Sequence, residues 1–154
     1  LLQEDLARVR KLVVLDFHTG LGEPGACEFI TDTAPGTEAY MRARALWGTR
    51  VASSHRGESV SAPLTGTIEE GLRRWRSDLE LTFAALEVGT CPLSVVFDAL
   101  RKDNWLHCHA GSGHPRAPEI ERRMREAFYP DAPEWKRAMW DLGHEAALRA
   151  LSAL

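Results

Sequence analysis

The stretch Val13-Val14-Leu15-Asp16-Phe17-His18-Thr19-Gly20-Leu21-Gly22 decides how this chain is read. Branched apolar side chains run into an aspartate, a phenylalanine and a histidine, and a glycine-bearing loop follows at once. A short apolar run bounded by turn residues predicts a buried strand over 11–17. A histidine at the carboxyl end of such a strand is rigidly mounted where sites form in α/β sheets, and is therefore a candidate metal ligand. Asp16 lies two residues earlier, on the same strand face, and is suited to orient the histidine. Working outward, a second apolar run over 79–86 predicts another strand and ends in Glu87-Val88-Gly89-Thr90. A carboxylate there is costly unless it is paired or faces an opening. Glu87 is thus a candidate general base, the plain alternative being a glutamate that caps its own turn.

The remaining pattern is α/β. Residues 2–10 read as an amphipathic helix with Leu2, Leu6 and Val9 on one side. A helix that feeds a strand is the second half of a βαβ unit, so the first strand is expected before Leu1. The 154 residues are accordingly expected to form a single domain or the C-terminal part of a larger one. A short strand is expected over 26–31, a helix from Pro35 to Trp47 stopped by Gly48, a brief strand over 50–53 and a polar loop over 53–66. Thr67-Ile68-Glu69-Glu70 has capping-box spacing and opens a helix to about Arg76. After Pro92 the chain turns helical. Helices are predicted over 92–107, over 118–128 with Ile120, Met124, Ala127 and Phe128 on one face, and from Asp131 onward with Trp135, Met139, Leu142 and Ala146 together.

Composition narrows the function classes. Net charge is −3, and acidic residues interleave with the arginines at 73–76 and 116–125, so neither nucleic acid nor an anionic membrane is an expected partner. No apolar run is long enough to span a bilayer, and no signal-peptide pattern is present. The three cysteines, Cys27, Cys91 and Cys108, are far apart with no CxxC pair. Free thiols in a reducing, cytoplasmic setting are the expectation.

With His18 and Glu87 in place, the chain resembles the C-terminal half of an M14-type zinc carboxypeptidase-like protein. The branch it looks most like is DUF2817, akin also to the succinylglutamate desuccinylase and aspartoacylase group. Three segments carry the resemblance: 15–22, 81–90, and 99–107 together with Ala127-Phe128-Tyr129-Pro130 and Trp135. The resemblance implies a zinc-carboxypeptidase-like mixed sheet flanked by helices, with its N-terminal portion missing here. It implies His18 as a ligand to one zinc ion and Glu87 as the base that takes a proton from metal-activated water. The family's early HxxE ligand pair has no counterpart before His18.

The implied activity is hydrolysis of a peptide or amide bond in a peptide or N-acyl amino acid-like substrate. The alternative is a non-catalytic remnant of the fold that acts as a binding module. An incomplete sheet would expose an edge, so association with itself or with the missing half is expected. His55-Arg56-Gly57-Glu58 is a literal HxxE, and His55 and Glu58 are alternative metal ligands. They fall after His18 and in a polar loop, whereas zinc wants a rigid mount. His107-Cys108-His109 with His114 fits no tight zinc spacing and reads as a helix end.

Overall fold

Two apolar stretches become long strands, and each extends past its predicted end. In the computed structural model, which describes residues 4, 6–57 and 59–154, β1 is Lys11–Gly20 and β4 is Glu80–Gly89. With β2 (Cys27–Thr31) and β3 (Val51–Ser53) they form a mixed sheet in the order β1-β4-β2-β3. β2 and β3 are parallel, with Phe29 opposite Val51 and Thr31 opposite Ser53. β1 and β4 also run in the same direction. Glu80 N–H bonds the Arg10 carbonyl where both begin, and Thr90 Oγ1 lies 3.4 Å from the Gly20 carbonyl where both end. The helices of the described residues are α1 (Glu38–Trp47), α2 (Ile68–Trp75), α3 (Leu93–Trp105), α4 (Ala117–Phe128) and α5 (Pro133–Leu151). The chain is therefore an α/β protein, as its pattern predicts.

The helix ends follow local chemistry. The Thr37 hydroxyl accepts the Tyr40 amide, so α1 starts after Thr37 rather than at Pro35. Gly48 stops it, at φ 71°. The Thr67 hydroxyl accepts the Glu70 amide as the capping-box spacing requires, while the Glu70 carboxylate takes the Gly66 amide. α3 runs on as a π-helical turn, Leu106–Ala110.

Two expectations need correction. β1 is not a buried strand: residues 12–16 are half-buried and Phe17 is 50% exposed. The reason is position, since β4 flanks it on one side and it forms the sheet edge. Of the helix expected over 2–10, residues 2, 3 and 5 lie outside the described residues, Glu4 is helical, and 6–8 form a turn instead. The Arg76 guanidinium donates to the carbonyls of Leu6 and Val9, and the Leu6 carbonyl also accepts the Val9 amide, which closes the turn. Of the helical tryptophans, Trp47 and Trp135 are buried and Trp140 is 70% exposed.

Arg76 in turn holds Asp78 through two hydrogen bonds of 2.7 and 2.9 Å, which draws the Asp78 carboxyl below its ordinary value of 3.8. A depressed carboxylate contributes its stabilisation above its unfolded pKa and loses it as pH falls through the folded one. Residues 6–10 are therefore expected to be anchored at neutral pH and released below the ordinary carboxylate range. The protection factor of the Val9 amide, its exchange rate relative to that of an unfolded chain at the same pH, should fall in Arg76→Gln at pH 7 to the value of the wild type in acid. Unchanged protection in the variant would show that Arg76 does not anchor this segment.

The chain divides into two compact units, the first comprising Leu1–Phe17, Glu28–Leu86 and Gly143–Leu154, the second His18–Cys27 and Glu87–Leu142. In the first, Phe29 stacks on Trp47 with ring centroids 5.2 Å apart, and the Trp47 indole N–H bonds the Ala146 carbonyl. Each of these rings contributes about 1.5–3 kcal/mol by burial. In the second, Leu106, Ala117 and Ile120 form a closed cluster at the junction of the π-helical turn and α4.

Candidate functional site

The second unit holds both His18 and Glu87. Each is the third residue from the end of its strand, on the neighbouring strands β1 and β4. His18 is exposed and Glu87 is 7% exposed. The Leu21 backbone N–H donates to Glu87 Oε1 at 2.9 Å. Glu87 thus reaches the loop that follows His18. A donor on one oxygen sets the direction in which the carboxylate presents its remaining lone pairs.

Close backbone approach makes this loop possible. The Gly25 N–H bonds the Gly89 carbonyl at 3.0 Å, and the Gly89 N–H bonds the Ala26 carbonyl at 2.9 Å. A Cβ on Gly89 would stand 2.7 Å from the carbonyl carbons of Glu23 and Gly22. Gly20 has φ 134°, and a Cβ there would meet the Phe128 ring at 2.7 Å. Glycine at both positions is a steric requirement of the site.

The segment after α4 locks the strand ends. The Thr19 hydroxyl donates to the Phe128 carbonyl at 2.6 Å, and the Thr90 hydroxyl to the Ala127 carbonyl at 2.6 Å. Thr90 therefore does not cap α3, whose first turn has no side-chain cap. The buried Trp135 indole N–H donates to the Gly89 carbonyl at 2.9 Å, with Tyr129 edge-on to its ring. Sequence reading places Trp135 on an apolar helix face and overlooks this bond. A side chain that reaches a backbone carbonyl 46 residues away leaves no periodic trace.

The other candidates lie elsewhere. Asp16 is half-buried on β1 within the first unit. His55 sits in a short 3-10 turn, Ser54–Arg56, also in the first unit. Glu58 lies outside the described residues. His107 approaches Asp103 one turn back at 3.5 Å, and His114 accepts the Arg116 amide and meets Trp105 edge-on, as helix-end residues do. Among the described residues no three His, Cys, Asp or Glu side chains are grouped to hold a metal ion. A catalytic zinc takes three protein ligands. The described residues do not by themselves make up that set.

The chain belongs to the family described as "Protein of unknown function (DUF2817)", whose model matches residues 1–141. No curated protein and no solved structure matches the chain. Among the described residues no helix is long and apolar enough to cross a membrane.

Proposed function

We propose that this chain carries part of the site of a zinc-dependent hydrolase of the carboxypeptidase type, with Glu87 as general base and His18 as one metal ligand. The further ligands come from outside the described residues. The substrate is a peptide or N-acyl amino acid-like molecule, cleaved at a peptide or amide bond. The observation that carries this reading is the bond from the Leu21 N–H to Glu87 Oε1 at 2.9 Å. A general base works only when its carboxylate is held in one orientation within reach of the proton it takes. Burial of Glu87 at a strand end adds rigidity, and the hydroxyl and indole bonds around Gly89 and Thr90 brace the backbone that carries it.

Two substitutions in the full-length protein test it. Glu87→Gln keeps an acceptor for the Leu21 amide but cannot take a proton. It is expected to slow hydrolysis of N-acyl amino acids and short peptides about a hundredfold while zinc content stays unchanged. His18→Ala is expected to lose zinc. A Glu87→Gln protein that hydrolyses at the wild-type rate would refute the role of Glu87. A wild-type protein with neither zinc nor hydrolysis would favour a non-catalytic binding module.

A further inference from the structure

At the carboxyl ends of the parallel strands β2 and β3, wholly within the first unit, lies a cavity of about 420 Å³. That volume lies in the range of small-molecule sites, and such sites form at these strand ends. Its wall contains three acids and three basic side chains: Asp32, Glu69 and Glu70 with His55, Arg73 and Arg74.

Every oxygen of the three carboxylates accepts at least one hydrogen bond. Glu69 is 0% exposed and accepts the Asp32 amide at 2.7 Å, the Thr31 hydroxyl, and Arg73 Nε and Nη2. Asp32 accepts the hydroxyls of Ser54 and Thr67, and Glu70 accepts the Gly66 amide and Arg74 Nη2. The bases are only partly engaged. Arg73 Nη1, Arg74 Nε and Nη1, and the His55 ring make no hydrogen bond among the described residues. Each carboxylate oxygen thus already holds a donor, whereas several guanidinium N–H groups hold no acceptor. An oxyanion would find those N–H groups already fixed in place by their glutamates. Pro63 and Leu64 form an apolar lip, and Leu64 is 66% exposed.

We propose that this cavity binds a small organic monocarboxylate. Its head lies on Arg73 and Arg74 with His55 alongside, and its short apolar tail covers Pro63 and Leu64. The proposal does not depend on the hydrolase reading, because neither His18 nor Glu87 lines the cavity.

The test is calorimetric titration of the full chain with hexanoate, hexyl phosphate and hexylammonium, with amide shifts followed by NMR. Hexanoate is expected to bind once, with millimolar affinity, and to move the amides of Thr33, Ser54 and Thr65. Arg74→Gln and His55→Ala alter exposed side chains and are expected to keep the unfolding midpoint. Arg74→Gln should weaken hexanoate about tenfold, and His55→Ala should weaken it by a smaller factor. Arg73 is left intact because its loss would unpair the buried Glu69. Equal binding of hexylammonium, or hexanoate binding unaffected by both substitutions, would overturn the proposal. So would no binding of hexanoate at all. Hexyl phosphate binding in its place, lost in the same variants, would overturn the carboxylate assignment in favour of a phosphate head.

Discussion

Glu69→Ala is expected to destabilise the fold by about 3–5 kcal/mol, the cost of breaking a buried ion pair on one side only. The Glu69 side chain is 0% exposed, while that of Arg73 is 32% exposed. Removing the carboxylate strands the guanidinium beside a void and leaves the Asp32 amide and the Thr31 hydroxyl without their acceptor. Because those groups lie at the end of β2 and the start of α2, the loss spreads to both elements. Urea unfolding at neutral pH measures it as a fall in midpoint. Glu69→Gln retains an acceptor and shape, and should cost less, about 1–3 kcal/mol. The double variant Glu69→Leu with Arg73→Met should lose less than Glu69→Ala alone, since no charge is left unpaired. A loss below about 1 kcal/mol in Glu69→Ala would mean that this network does not hold β2 to α2.

Gly89→Ala is expected to cost about 3 kcal/mol or more, and to do so at the candidate site. The added methyl would sit 2.7 Å from the carbonyl carbons of Glu23 and Gly22, and these are backbone atoms that cannot swing aside. Relief requires the loop to leave the strand, which breaks the bonds from Gly25 to Gly89 and from Gly89 to Ala26. The Leu21 amide that orients Glu87 travels with that loop. Gly25→Ala is the control. Gly25 has φ 77° and open space around its missing Cβ, so its substitution should cost only the left-handed backbone penalty, about 1–2 kcal/mol. Equal destabilisation by the two would show that backbone conformation, not the close approach at Gly89, governs this loop.

These two sites differ in how far they are legible from residues. Gly89 follows an apolar run and a glutamate, and reads as an ordinary turn glycine. Nothing local announces that Glu23 will lie against it. Glu69 reads as a capping-box neighbour at the start of a helix, yet it is the most deeply buried acid among the described residues.

The sequence by itself determined the element types. Unbroken apolar runs gave β1 and β4, Thr67 and Gly48 set helix ends, and helical spacing put Ile120, Ala127 and Trp135 inward. Those signals are local, because strand and helix periods and capping bonds span only a few residues. It also placed His18 and Glu87 at strand ends. Only the tertiary structure decided that β1 lies at the sheet edge and is half-exposed, since burial depends on which strands pair. Only it showed Arg76 binding the carbonyls of Leu6 and Val9, Leu21 holding Glu87, and Trp135 and Thr90 bracing the strand ends through main-chain carbonyls. Each of those is a bond between residues from 37 to 70 positions apart, with one partner a main-chain group that every residue type offers alike and that folding alone brings into reach.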